Sequence, residues 1–317
     1  MSSTDTRTRS AASGAVEKDP QPSVRATRSR TTRSGGGATA TSFSSRAAVN
    51  TVLVIMALYT LMPLTWLLFA ATKDNSDLFA HPGFELGDFN LFSNLDRLFS
   101  YDHGIFATWL GNSMLYSVVG AAASAFISLL AGYAFDKYVF PLKNKLYAVV
   151  LLGILVPSTV VSLPMYLMAS KVGLVNTYWA VLIPGLVNPF GVYLARVFSE
   201  GYVPGETLEA ARMDGASEIR LFRSISLPMM APAFMTIFLF SFTGSWNNFF
   251  LPLVMLNDSS KYPVTLGIYN WNQTVSQYPE FYQLVITGSL ISVIPLAIAF
   301  LGLQRYWRSG LTAGAVK

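Results

Sequence analysis

Six stretches of this chain contain no Asp, Glu, Lys or Arg, and each is long enough to cross a membrane: Ala47–Thr72, His103–Phe135, Leu146–Ser170, Val172–Ala195, Ser224–Asn257 and Phe281–Gln304. A hydrocarbon core of about 30 Å takes roughly 20 helical residues, and lipid satisfies no backbone polar group that the helix leaves free. The third and fourth stretches are parted only by Lys171 and are together too long for one helix, so a turn is expected over Lys171–Thr177. A chain that is 52% hydrophobic and 12% charged has too little polar surface for a water-soluble fold of this length. Barrel strands would alternate polar and apolar residues over about 10 positions, whereas these runs are apolar throughout. The expected fold class is all-α: a polytopic membrane protein with six transmembrane helices.

Charge placement gives an expected orientation. An even number of spans puts both termini on one side, together with the connectors 136–145 and 196–223. That side carries 18 of the Lys and Arg residues against 4 on the other. The excess of basic residues marks the cytoplasmic side. Placed on connectors in this way, the net charge of +5 needs no nucleic acid partner. Residues 1–45 are rich in Ser, Thr, Arg, Gly and Ala without an apolar period and are expected to be a disordered cytoplasmic tail. The first apolar run begins near Ala47, too far along and too long for a cleaved signal peptide. Residues 46–308 then form the membrane domain and residues 309–317 a cytoplasmic C-terminal tail.

The absence of cysteine excludes disulfides, thiolate metal sites and cysteine nucleophiles, and the two histidines leave little for metal chemistry. No phosphate-binding loop, HExxH, GxSxG or dinucleotide fingerprint occurs, so no catalytic residue and no metal site is expected. The informative connector is Glu206–Pro232, ETLEAARMDGASEIRLFRSISLPMMAP. Its acids come early and Arg212 late, which suits a helix dipole, Gly215 suits a left-handed helix end, and Ser217 suits the cap of a second helix. Small Ala210 and Ala211 would let another protein approach closely, with Glu209 offering a carboxylate. From spacing alone, an ordinary solvated loop and a docking element both fit.

The connector also has the pattern Glu209-Ala210-Ala211, three residues, Gly215, nine residues, Ile225-x-Leu227-Pro228, with Asp214 before the glycine and Phe222 between. This resembles the EAA loop of ABC importer permeases. WLGNS (109–113), AGYAF (131–135), VGLVNTY (172–178), WNNFFLP (246–252) and the ending QRYWRSGLTAGAVK (304–317) are similar to the carbohydrate branch of that family, the maltose-type or MalG-like permeases. The sequence departs from that pattern at Thr207, at Leu208 where a charge is common, and at Asp136-Lys137 where a small residue and Arg are usual. The resemblance implies a type I ABC importer permease fold and a subunit of an ATP-driven, binding-protein-dependent sugar importer in a bacterial or archaeal inner membrane. Its implied partners are a second related permease, two ATPase subunits that bind the ATP and Mg, and an extracytoplasmic sugar-binding protein; the chain itself would need no cofactor. The resemblance further implies that the connector couples to the ATPase through Glu209, Ala210, Ala211, Asp214, Gly215, Phe222, Leu227 and Pro228. A second ATPase contact is implied at Gly310, Leu311, Thr312, Ala313 and Gly314.

Within the fifth run, Trp246, Asn247 and Asn248 are polar groups at membrane depth, which lipid cannot satisfy. Either they line a solute pathway, where Trp stacks on a sugar face and Asn binds hydroxyls, or they join helices. Prolines at 157, 164, 184, 189, 252 and 295 are expected to kink or break their spans. The competing functions are an ABC permease for another solute, such as polyamine or phosphate, and a secondary transporter. The latter would be expected to carry ionisable residues within its spans, and these six runs contain no Asp, Glu, Lys or Arg.

Overall fold

The computed structural model describes residues 43–313, with side chains from Arg46 to Gln304. All regular structure among these residues is helical. The chain forms two units, residues 1–55 and 56–317. The first unit is described only from Phe43, as the opening turns of α1 (Phe43–Thr72), with exposed side chains from Arg46 onward.

In the second unit, α1 stays exposed as far as Trp66 and becomes buried at Ala70 and Ala71. A polar connector follows, built on α2 (Asn75–Ala80), which Asp74 caps, and α3 (Leu91–Ser100). Buried Lys73 donates to the Pro82 carbonyl at 2.7 Å, while Asn94 on α3 donates to the carbonyls of Ala71 and Lys73. Asp102, His103 and Gly104 all have positive φ, which ends α3 and redirects the chain into α4 (Ile105–Met114). A π-helical turn at Leu115–Val119 leads into α5 (Gly120–Lys137).

The third expected span divides into α6 (Lys143–Leu155) and α7 (Ser158–Lys171), bent by 106° at Val156-Pro157. Pro157 supplies no amide proton to continue the ladder and biases the residue before it toward extended backbone, which Val156 adopts. The expected turn after Lys171 is present, with positive φ at Gly173 and Asn176. The fourth span comprises α8 (Tyr178–Leu186) and α9 (Pro189–Tyr202), interrupted at Val187-Asn188. Because α9 continues to Tyr202, residues 196–202 of the expected 196–223 connector are helix in line with the span.

The connector itself contains α10 (Gly205–Met213) and α11 (Glu218–Leu221), then a π-helical turn at Phe222–Ser226 and α12 (Leu227–Met229). A 72° bend at Met230 leads into α13 (Ala231–Trp246). The fifth apolar run is therefore not one helix: it bends at Met230, breaks at Asn247–Phe249 and resumes as the short α14 (Phe250–Met255). A connector carrying α15 (Val264–Thr274) precedes the last span, α16 (Phe281–Ala313). The helix of α16 runs through 309–313 of the expected C-terminal tail, whereas 314–317, like residues 1–42 of the N-terminal tail, lie outside the described residues. Four helices are long and apolar enough to cross a membrane, and the two bent pairs bring the number to six when each counts as one span.

Small residues set the close contact of α5 with α9. Gly120, Ala121, Ser124, Ala125, Ser128 and Gly132 are buried along α5, and a Cβ on Gly132 would lie 2.4 Å from that of Ala195 on α9. Such stripes let membrane helices approach backbone to backbone. Two of the four buried clusters among the described residues bear on the site. One joins α5, α9 and α13 to the connector through Leu129, Val203, Leu208, Leu221 and Ile237. The other packs Phe106, Trp109, Phe242, Trp246, Trp271 and Leu284 at the opposite end of α5 and α13.

Candidate functional site

The connector is built from local rules first. Gly215, at φ +80°, closes α10: its amide donates to the Arg212 carbonyl at 3.0 Å, and the Ala216 amide reaches back to Ala211 at 3.0 Å. These two bonds form a Schellman ending, which places a left-handed residue after the helix. Arg212 then grips Glu218 on α11 with two hydrogen bonds of 2.8 and 3.2 Å, and Glu218 also accepts from the Tyr138 hydroxyl at 2.8 Å. This pairing holds the Arg212 pKa above its usual value.

Packing then decides which residues point outward. Leu208 and Leu221 are buried beneath the connector, and Ala211 packs inward with them. Glu209, Ala210, Asp214 and Gly215 are exposed, as are Met213 and Ile219, which are 89% and 80% exposed. The Phe222 ring sits 5.1 Å from that of Tyr133, and Leu227 packs on the same cluster, while Pro228 is exposed at the turn into the span. The apolar residue at 208 thus anchors the connector from below. Asp136-Lys137 also has an internal role: Lys137 pairs with Asp136 at 2.8 Å and donates to the Val203 carbonyl at 2.5 Å, and Ser199 donates to Asp136 at 2.7 Å. A cation on the last carbonyls of α9 is favourable to its dipole, and the pair ties α5 to α9 at the root of the connector.

At the other end of α5 and α13, the WLGNS segment is a clamp on the connector that carries α15. Trp109 donates to the Ser259 carbonyl at 2.8 Å, Asn112 to those of Ser260 and Tyr262, and Ser113 accepts from the Val264 amide at 2.7 Å. The VGLVNTY turn helps from the opposite side, where the Asn176 side-chain carbonyl accepts from the amides of Asn257 and Asp258.

Between these ends lies a cavity of about 1020 Å³, lined by residues of α6, α7, α8, α9, α13 and α14 and of the breaks between them. Asn247 and Asn248 line it; Trp246 does not. Trp246 is buried in the aromatic cluster, stacked on Phe242 at 5.8 Å, and donates its indole proton to the Ser292 carbonyl at 3.2 Å. Of the three polar residues singled out in this run, one joins helices and two face the cavity. Sequence reasoning missed Asn188, whose amide nitrogen donates to the Ser241 hydroxyl at 3.0 Å and whose oxygen accepts from the Gly191 amide at 2.8 Å. The Asn188-Pro189 dipeptide is a turn signal and marked the place.

Broken apolar helices around a cavity whose largely apolar wall carries a few amide and hydroxyl groups are tolerated at membrane depth because the freed backbone groups face protein or water rather than lipid, and they are the architecture of a membrane transport permease. Residues 124–311 match the family described as "Binding-protein-dependent transport system inner membrane component", and the chain belongs to that family. Among its relatives, the arabinooligosaccharides transport system permease AraQ of Bacillus subtilis is 31% identical, over 86% of this chain and 96% of AraQ. The lactose transport system permease LacG of Rhizobium radiobacter is 28% identical, over 84% of this chain and 94% of LacG. The fold is shared with a bacterial ABC transporter involved in import of the acidic polysaccharide alginate, with a TM-score of 0.73 and 24% identity over 84% of this chain and 98% of that one. The protein is a multi-pass membrane permease component of a transport system, not an enzyme.

Proposed function

We propose that this chain is one of two membrane subunits of an ATP-driven sugar importer and supplies half of the pathway. The observation that carries the reading is its match, over nearly the full length of AraQ, to an oligosaccharide permease. The other subunits are a related permease, two ATPases that hold the ATP and Mg, and an extracytoplasmic sugar-binding protein. The basic connectors support an orientation with both termini and the 196–223 connector in the cytoplasm. There Glu209, Ala210, Asp214 and Gly215 form the face that meets the ATPase, with Ala211, Phe222, Leu227 and Pro228 joining that face to the buried cluster and α13. The segment Gly310–Gly314 makes a second ATPase contact. Asn247 and Asn248 face the pathway.

The test is reconstitution of the chain with its partner subunits in proteoliposomes. ATP-dependent uptake of a neutral oligosaccharide that requires the binding protein is the expected result. Uptake of phosphate or polyamine in place of sugar, or uptake driven by an ion gradient without ATP, overturns it.

A further inference from the structure

We propose that the broken-helix cavity is itself a binding site for a neutral, polyhydroxylated solute and discriminates against acidic sugars. This inference rests on the sugar-import reading and adds the site and the charge class of its ligand. Three separate interruptions, at Val156-Pro157, Val187-Asn188 and Asn247–Phe249, open onto the same cavity. At these breaks the amides of Val187, Asn247 and Asn248 stay satisfied by the carbonyls of Pro184, Thr243 and Ser245, and backbone groups left outside the ladder at membrane depth require water or ligand as partners.

The side chains on this wall have the chemistry of a sugar site. Asn188 and Ser241 are already paired at 3.0 Å, and Asn188 is held by the Gly191 amide, so both are fixed before a ligand arrives. The Asn248 carboxamide and the Thr159 hydroxyl line the cavity and make no hydrogen bond among the described residues. They are donors and acceptors available to sugar hydroxyls. Phe190 and Phe250 are exposed on the same wall, and aromatic rings bind the apolar faces of pyranose and furanose rings. The volume lies at the upper end of the roughly 300–1,000 Å³ typical of small-molecule sites, enough for more than one sugar ring.

The charge class follows from what the wall is made of. Among the described residues no Asp, Glu, Lys, Arg or His lines this cavity. A carboxylate or phosphate moved to such a site leaves water without gaining a counter-charge from this subunit, and that desolvation is costly. Neutral hydroxyls exchange water for amide and hydroxyl partners at little cost. The alginate importer that shares this fold is described with an acidic cargo, and this wall is built for the opposite class.

The experiment uses the assembled importer in nanodiscs without its binding protein, so that only the membrane site is read. Binding of neutral arabinotriose and of acidic trigalacturonate is measured, with ATP-driven uptake of arabinotriose by the complete system followed in parallel. The neutral trimer is expected to bind at least about tenfold more tightly than the acidic one. N248A and S241A are each expected to weaken neutral binding about three- to tenfold, the worth of one hydrogen bond. N248Q is expected to retain binding, and N248K to admit the acidic trimer. Equal binding of the two trimers, or unchanged neutral affinity in both alanine variants, overturns the site. If uptake is nevertheless intact, the sugar-importer reading stands without it; loss of uptake in the wild-type complex removes both.

Discussion

Replacing Gly132 with alanine tests a close backbone approach between two helices, α5 and α9. The added methyl would lie 2.4 Å from the Ala195 Cβ, 2.6 Å from the Arg196 nitrogen and 2.7 Å from the Ala195 carbonyl carbon. Ordinary carbon contacts are about 3.5–4.0 Å, so α5 and α9 must separate by about 1 Å. The obstructing atoms are backbone or a Cβ fixed to it, and no side-chain rotation relieves them. Overpacking of this kind costs about 1–3 kcal/mol, and the better helix propensity of alanine returns about 1 kcal/mol. The expected net effect is a loss of up to about 2 kcal/mol against wild type, and of about 1–3 kcal/mol against a glycine-to-alanine change that meets no obstruction. Gly111 is the internal control, because a Cβ there meets nothing within 4 Å and G111A keeps only the propensity gain. The assay is reversible unfolding of the purified permease pair in mixed micelles, with wild type, G132A and G111A side by side. Since α9 ends at the Val203 carbonyl gripped by Lys137, the displacement also reaches the connector, and ATP hydrolysis should respond less to the loaded binding protein. G132A as stable as G111A would refute the argument that this backbone contact is tight.

Three further outcomes are expected. G215V forces a β-branched residue to φ +80°, a strain of about 1–3 kcal/mol, so uptake should fall while immunoblots of membrane fractions show normal insertion. W246F removes the donor to the Ser292 carbonyl and should cost about 1 kcal/mol in the same unfolding assay, with the half-saturating sugar concentration unchanged because the indole lies outside the cavity. The Asp258 carboxyl is lowered from 3.8 to about 2, chiefly by its hydrogen bond with Lys261 and then by Ser260. A depressed carboxylate pKa means that its contribution is present above pH 3.8 and is lost as pH falls toward about 2, so amide exchange in residues 259–264, expressed relative to the intrinsic rate at each pH, should be flat from about pH 8 to 4 and rise below that. D258N should abolish this rise.

The features legible in the sequence were those that a segment decides by itself. Uncharged length marks a span whatever surrounds it, because the bilayer is the solvent; Gly215 marks a helix end because only a residue without Cβ takes a left-handed φ freely; and Val156-Pro157 marks a break because proline has no amide proton to give. What only the tertiary structure decided was which way residues inside those spans face. α13 is apolar all round, so no period tells that Trp246 turns into the aromatic cluster while Asn247 and Asn248 face a cavity. The same holds for Asp136-Lys137, an unexpected pair in one dimension and a tie between α5 and α9 in three. Three helix breaks scattered over roughly 90 residues meet at one cavity only through packing of α6 to α9 against α13 and α14, and no local rule of chain geometry carries that information.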